Sequence, residues 1–486
     1  MSTHTPEVPA VPDRSPGPIW VGETAHRRAP GGPPGVGLHV HPRFTAARLL
    51  VTDAGVPVGQ VDVALTDGRA TAAEIDRATA AVVAGAPPDP PPASDEPMTV
   101  VVATRGRPES VRRCLAAILA GDHAAVTVLV VDNDPPDDRT RDVVAAVGDD
   151  RVHYVHERRR GVSVGRNRGL AEARTEVVAF TDDDTEPDRH WASRIAGAFA
   201  ADPGLTGLSG PVLAARLDTP QERAADIALA WNKGFTPRRF RLDDPPVDSA
   251  VFPFSPGLFG IGANLAVRAR RVRELGGFDE ALGPGRATRG GEDIELMVRI
   301  VLDGGTLGYL PAAYVWHHHR PSDGELRTQL GGYALGLGAF LGKVALDGPA
   351  RRLALRRFPA GIARLREIVR RESAGVAQDD PPEPDTAGSA PGPGPARAGT
   401  DGGEADAAAG TGPSAVAVAE AAGVPAVAEV PADPEERRHE TVALPDGAAA
   451  RKLRGLAGGP VLYLRTRRQV LAEGGSCPPL TAPGRH

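Results

Sequence analysis

Val177-Val178-Ala179-Phe180-Thr181-Asp182-Asp183-Asp184 decides the reading of this chain. Four apolar residues without a polar break read as a strand buried on both faces, the habit of a parallel sheet. Three aspartates follow at its carboxyl end, where open α/β sheets bind their ligands. Carboxylates packed this densely repel one another, and a divalent cation is the usual neutraliser. Their hard oxygens suit Mg²⁺ or Mn²⁺, which take one or two carboxylates together with substrate phosphates. A solvated acidic loop or a helix cap could carry the same three residues, so their surroundings have to decide.

Upstream the same rhythm repeats. The pattern predicts strands over Thr99–Ala103, Val126–Asp132, Arg151–His156 and Val177–Thr181, and helices over Pro108–Leu119, Arg139–Val147 and Ser163–Ala173. Val-rich runs alternating with helical stretches are βαβ units, so the fold class is α/β, a Rossmann-like, mostly parallel sheet with flanking helices. Pro108 suits the first turn of its helix.

Outside that core the composition changes. There are 58 glycines and 48 prolines in 486 residues, about a fifth of the chain against a usual share near 12%. The excess marks residues 1–37 as a disordered arm, 86–97 as a proline-rich linker and 374–440 as a disordered linker. Residues 38–85 read as a small α+β unit: a hairpin from Ala47–Asp53 and Val58–Leu65, then a helix capped by Thr71. The main domain spans 98–346. A helical extension covers 347–373, within which the Arg-rich Ala350–Arg371 could touch an anionic membrane surface. The last segment, 441–486, shows a short apolar strand at Pro460–Leu464 and no evident role.

Composition excludes several classes. Two cysteines, Cys114 and Cys477, rule out a disulfide scaffold and a Cys-based zinc cluster. A net charge of −6 argues against a general nucleic-acid binder. No leader-like apolar run is visible at the start and no run is long enough to span a membrane. A cytoplasmic location is expected, with contact at the inner face of the membrane as an option.

Three further clusters could carry chemistry. Gly290-Gly291-Glu292-Asp293 precedes the helical run Ile294–Leu302. Its carboxylates either complement the helix dipole or supply a general base. Trp316-His317-His318-His319-Arg320 follows a strand-like run. Alternation places His317 and His319 on one face and His318 on the other. Gly161 to Gly169 (GVSVGRNRG) joins glycines, a Ser cap and a helix start, an anion site to which Arg166 adds a bidentate donor. No phosphate loop of the GxxxxGK[ST] type is present.

Taken in order, these clusters resemble the family 2 glycosyltransferases, inverting enzymes with the GT-A fold. The resemblance covers Met98 to Leu346. It opens with Val100–Pro108, where Ala103, Arg105 and Gly106 depart from the family's usual Pro-Thr-Tyr-Asn-Arg. It runs through Val128–Asn133, Gly165–Leu170 (GRNRGL), Asp182-x-Asp184, Gly262–Ala266, Gly276–Glu280 and Gly291-Glu292-Asp293, and ends at His317 or His319. What the resemblance implies is a nucleoside-diphosphate sugar donor contacted by Thr104, Arg107, Asp132, Arg166, Asn167, Asp182 and Asp183. It implies Mg²⁺ or Mn²⁺ at Asp184 and Asp182 with His317 or His319. Asp293, with Glu292 beside it, would be the base that deprotonates an acceptor hydroxyl, and Asn264 and Trp316 would lie on the acceptor side. The acceptor could be a glycan, a lipid-linked sugar or a small molecule. A sugar-nucleotide nucleotidyltransferase, hinted at by Arg105-Gly106-Arg107, and a non-catalytic scaffold with a vestigial core are the alternatives.

Overall fold

Alternate residues of the strand Met98–Thr104 point to opposite faces, and both faces are apolar. Val100 and Val102 enter one core with Val111, Leu115, Ile118 and Trp191. Val101 enters a second core with Leu129, Phe180, Phe278 and Leu296. A strand with no wet side needs helices over both faces, and helices supply both layers. The computed structural model describes residues 17–26, 37–84, 89–247, 249, 251–255, 257–320, 322–357 and 448–481.

Eight strands form the central sheet, in the order Arg238–Phe240, Thr306–Tyr309, Leu205–Ser209, Asn264–Arg268, Val177–Asp182, Met98–Thr104, Val126–Asn133 and Val152–Glu157. The last four named run parallel to one another. Asn264–Arg268 is antiparallel to both of its neighbours. The α/β expectation of a mostly parallel sheet therefore holds, with one reversed strand near its middle and a second, Arg238–Phe240, at its edge. Register brings the chemistry to one end of the sheet: Thr104 lies opposite Asp132, Ala103 opposite Asp182, and Thr181 opposite Asn264. A small second sheet, Thr185–Pro187, Val315–His317 and Val212–Ala214, sits just past the aspartates and ties His317 to Thr185 in register.

The expected hairpin is present as Ala46–Asp53 and Val56–Ala64, followed by the helix Ala72–Ala84. Thr71 caps that helix: its backbone N–H donates to Glu74 Oε2 at 2.7 Å, and the Glu74 N–H donates back to its hydroxyl at 3.3 Å. One expectation fails here. Ile19–Ala25, inside the stretch read as a disordered arm, is a strand parallel to Ala46–Asp53. Short and flanked by proline and glycine, it takes its ladder from a distant partner, and Glu23 accepts a 2.6 Å bond from the Tyr314 hydroxyl. The rest of the arm, residues 1–16 and 27–36, lies outside the described residues, as do the first residues of the linker, 86–88, all of 374–440 and the extension beyond 357.

A second correction concerns the chain's end. Pro460–Leu464, read as a strand, lies inside the helix Ala448–Ala472. Proline disfavours a helix interior by leaving the carbonyl four residues back without its donor. Packing overrides that preference. The helix lies along Asp323–Leu346, glycine against glycine: a Cβ on Gly338 would stand 2.6 Å from the Leu456 carbonyl, the one Pro460 leaves free, and one on Gly342 would stand 2.7 Å from Pro460 Cα. Between these helices and the main sheet lies a buried ionic cluster. Lys343 Nζ donates to Asp279 Oδ2 at 2.6 Å and to Glu295 Oε1 at 2.8 Å. Arg299 holds Glu295 at 2.7 and 2.8 Å, and the Tyr463 hydroxyl reaches Asp279 at 2.9 Å.

Candidate functional site

The three aspartates part company as the chain turns. Asp183 is buried; its Oδ2 accepts from the Thr104 hydroxyl at 2.6 Å and its Oδ1 from Arg107 at 2.7 Å. Asp184 is buried too, and its Oδ2 takes Arg107 at 2.8 Å and Arg320 at 3.1 Å. Its Oδ1 faces His317 Nε2 at 3.2 Å. Burial pushes Asp183 up to about 6 against the pull of Arg107, with the Asp184 charge adding to the rise. For Asp184 burial works in the same direction, but His317 and Arg107 outweigh it and hold the carboxyl well below the usual range. His317 in turn is raised: burial opposes its charge, and Asp184 overcomes that.

Asp182 looks the other way. Its Oδ1 accepts from Arg166 at 2.9 Å, and the opposite arm of the same guanidinium donates to Glu292 Oε1 at 3.0 Å. Arg166 is only 4% exposed. It therefore bridges the end of the Val177–Asp182 strand to the start of the Glu292–Leu302 helix and is not presented to a phosphate. Gly262 makes room for it, since a Cβ there would stand 2.7 Å from Arg166 Nη1. The Gly262 N–H also donates to Asp293 Oδ2 at 2.8 Å, and the Ile294 N–H to Asp293 Oδ1 at 2.8 Å. Asp293 is thus held by two backbone donors while remaining half-exposed; Glu292 beside it is buried. Burial first, then the neighbouring Asp293, push Glu292 up to about 7 in spite of Arg166.

The histidines divide as alternation requires. His317 and His319 lie on one side with ring centroids 5.3 Å apart, and Trp231 packs on both, at 4.7 and 5.4 Å. His318 turns away to Glu186 Oε1 at 2.6 Å. His319 faces Asp226 at 3.5 Å, and Arg48 of the N-terminal hairpin pairs with that aspartate. Trp231 also meets the Tyr333 ring at 6.4 Å, and Tyr333 lies beside Gly290. Beyond Asp184 opens a cavity of about 410 Å³ lined by Arg107, Arg113, Arg216, Arg320 and His319. A clustering of guanidinium groups like this suits a diphosphate.

Other candidates are placed elsewhere. Asp132 is fully buried at its strand end, with Oδ2 on the Tyr154 hydroxyl at 3.1 Å and Oδ1 without a partner; burial raises its carboxyl. Asn167 spends its amide on Phe278: its Nδ2 donates to the carbonyl at 2.9 Å and its Oδ1 accepts the N–H at 2.7 Å. Ser163 does not cap its helix but donates to Leu282 O at 2.8 Å, and Gly161 stands at the N-cap. Asn264 is a buried staple between Trp191 Nε1 and the carbonyls of Pro211 and Ala313. Trp316 packs in an apolar cluster with Val21, Leu50 and Tyr314, facing the core. Arg105 pairs with Asp134 at 3.0 Å, and Arg107 with Asp183 and Asp184, so neither forms an open phosphate loop. Tyr333 and Arg48 went unread in the sequence. Arg320 directly follows the histidine run, and that adjacency was the available signal.

Among the described residues no group of three or more His, Cys, Asp or Glu is arranged to hold a metal ion. The Asp184 carboxylate, with His317 Nε2 facing it at 3.2 Å, is the group that would take Mg²⁺ or Mn²⁺ in the mode where one carboxylate binds and substrate phosphate completes the shell. Asp182 and His319 are turned to other partners and do not join them.

The family model described as glycosyl transferase family 2 matches residues 99–261. The chain is 30% identical over 225 residues to the pre-mycofactocin glycosyltransferase of Mycobacterium tuberculosis, covering 46% of this chain and 43% of that protein. It is 29% identical over 268 residues to the succinoglycan biosynthesis protein ExoO of Rhizobium meliloti, covering 54% and 72%. The chain thus spans less than half the length of the first relative. Among solved structures, a mannosyltransferase from Pyrobaculum calidifontis, in complex with GDP-Man and Mn²⁺, aligns with a TM-score of 0.40 at 18% identity, over 60% of this chain and 83% of that one.

Proposed function

We propose, from the match of residues 99–261 to the family 2 glycosyltransferase model, that the protein moves a sugar from a nucleoside-diphosphate sugar to an acceptor hydroxyl, with inversion, Asp293 acting as the base. One observation carries the choice of base. Asp293 is half-exposed and fixed by two backbone N–H groups, whereas Glu292 is buried and Asp182, Asp183, Asp184 and Glu292 are all bound to arginine. Within the cluster, Asp293 alone combines a rigid mount with a reachable carboxylate that no arginine claims. A base needs that access to within hydrogen-bond reach of the proton. A single displacement needs one such base and no second close carboxylate acting as nucleophile.

The other residues take their parts from position. Arg166 fixes the spacing between Asp182 and Glu292, and so the height of Asp293 over the sheet end. Arg107, Arg320 and the arginines of the adjoining cavity face the region where a leaving diphosphate gathers charge. Asp184, with His317 facing it, would hold Mg²⁺ or Mn²⁺, which when bound neutralises part of that charge. Trp231 and Tyr333 offer aromatic faces for a sugar ring. The unpartnered Oδ1 of Asp132 suits a donor group of the nucleoside. A glycan, a lipid-linked sugar or a small molecule could serve as acceptor.

The test is Asp293→Asn. Nucleoside-diphosphate binding, read by calorimetry with and without Mn²⁺, should stay within about twofold of the parent, while transfer falls about 10²–10⁴-fold. Transfer at the parental rate would remove Asp293 as the base. If no nucleoside diphosphate binds the folded parent, the donor reading fails with it.

A further inference from the structure

Nine large apolar side chains are exposed among the described residues, and seven of them lie on the chain's last helices: Tyr333, beside Trp231, and Leu341, Leu346, Leu355, Val461, Leu464 and Leu471. We propose that this face rests on an anionic lipid bilayer, lying in its interface and not across it.

The helices Asp323–Leu346 and Ala448–Ala472 run side by side in the same direction, since Gly455 meets Ala334 and Pro460 meets Gly342. In the second helix Gly455, Gly459, Tyr463, Thr466 and Val470 are buried. At 100° per residue they fall within an arc of about 80° that faces the protein. Val461, Leu464, Arg468 and Leu471 are exposed. Their arc is also about 80° wide and is centred about 160° from the buried one. Leu341 precedes the glycine that touches Pro460, so along the pair it lies within one helical turn of Val461. The apolar face thus crosses from one helix to the other and is not a scatter of single residues.

Charge chooses the partner. The helix Ala448–Ala472 contains no aspartate or glutamate, although the whole chain carries a net charge of −6. Arg465 and Arg468 are exposed on it, and Arg351, Arg352 and Arg356 are exposed beyond Leu346. Arg465 and Arg468 make no ion pair among the described residues. Exposed leucines bordered by unpaired arginines match acyl chains bordered by anionic headgroups. No described helix is long and apolar enough to cross a membrane. A protein partner of equal area would need its own acidic rim, and a second copy would bring arginine against arginine.

The experiment is co-sedimentation of the full chain with phosphatidylcholine vesicles, with and without about 30% phosphatidylglycerol. Binding is expected only with phosphatidylglycerol, and should be lost as NaCl rises to about 0.5 M. Val461→Ser with Leu464→Ser, and separately Arg465→Glu with Arg468→Glu, should each weaken it at least about tenfold, with the thermal midpoint unchanged. Absence of binding at low salt overturns the proposal, as does equal retention of both variants. A parent that is dimeric by light scattering, and monomeric once Val461 and Leu464 are serine, would assign the face to a second copy and overturn it as well.

Discussion

Replacing Lys343 by methionine tests whether the helix that carries Glu292 and Asp293 is held from behind. Lys343 is 4% exposed, and Asp279 and Glu295, its partners at 2.6 and 2.8 Å, are both 0% exposed. Removing the cation leaves two buried carboxylates short of one donor each. Breaking a buried pair from one side costs about 3–5 kcal/mol. The lower end applies here, because Arg299 still holds Glu295, and the Tyr463 hydroxyl and Ala281 N–H still hold Asp279. With a urea dependence of about 3 kcal/mol per molar for a domain of this size, a loss of about 3 kcal/mol lowers the unfolding midpoint by about 1 M. The assay is urea unfolding followed by tryptophan fluorescence. Adding Asp279→Asn to Lys343→Met should recover part of the loss, since one uncompensated charge is removed. A midpoint within about 0.2 M of the parent, or a double variant that is simply additive, would refute the buried cluster and the docking of the last helix with it.

Three further outcomes are expected. Glu292, raised to about 7 by burial and by Asp293, contributes stability that is present below the ordinary glutamate range and lost as pH rises through about 7. Glu292→Gln should therefore gain on the parent by up to about 3 kcal/mol between pH 4 and pH 8 in denaturation midpoints; a constant difference across that range contradicts the assignment. Asp184→Ala should abolish any Mn²⁺ dependence of nucleoside-diphosphate binding, and calorimetry showing an unchanged metal effect would end the role given to Asp184 and His317. Gly338→Leu should detach the last helix, because its side chain would run into the Leu456 carbonyl. Faster proteolysis after residue 447 would report that; unchanged cleavage would mean the close packing is absent.

Much of this could be read before any coordinates. Val100, Val101 and their counterparts announced a sheet buried on both faces, and the helix at Arg139–Val147 falls where the pattern put it. The acidic triplet, the Glu292-Asp293 pair and the alternation of His317 with His319 were equally plain. Ile19–Ala25 and Ala448–Ala472 were missed for a common reason. Each owes its form to a partner far away in the chain, the strand Ala46–Asp53 for the first and the glycines of Asp323–Leu346 for the second. Local propensity is overruled where distant packing is stronger.

What the sequence by itself determined is the kind of sheet and the kinds of group at its edge, because both follow from residue type and period. What the tertiary structure decided is who those groups face. Arg166, read as a phosphate donor, is taken by Asp182 and Glu292; Asn167 is taken by Phe278 and Trp316 by the core. The pairing of Asp184 with His317 across 133 positions could not be foreseen from spacing. Ion pairs and burial depend on which surfaces a three-dimensional register brings together, and a one-dimensional pattern carries no record of that.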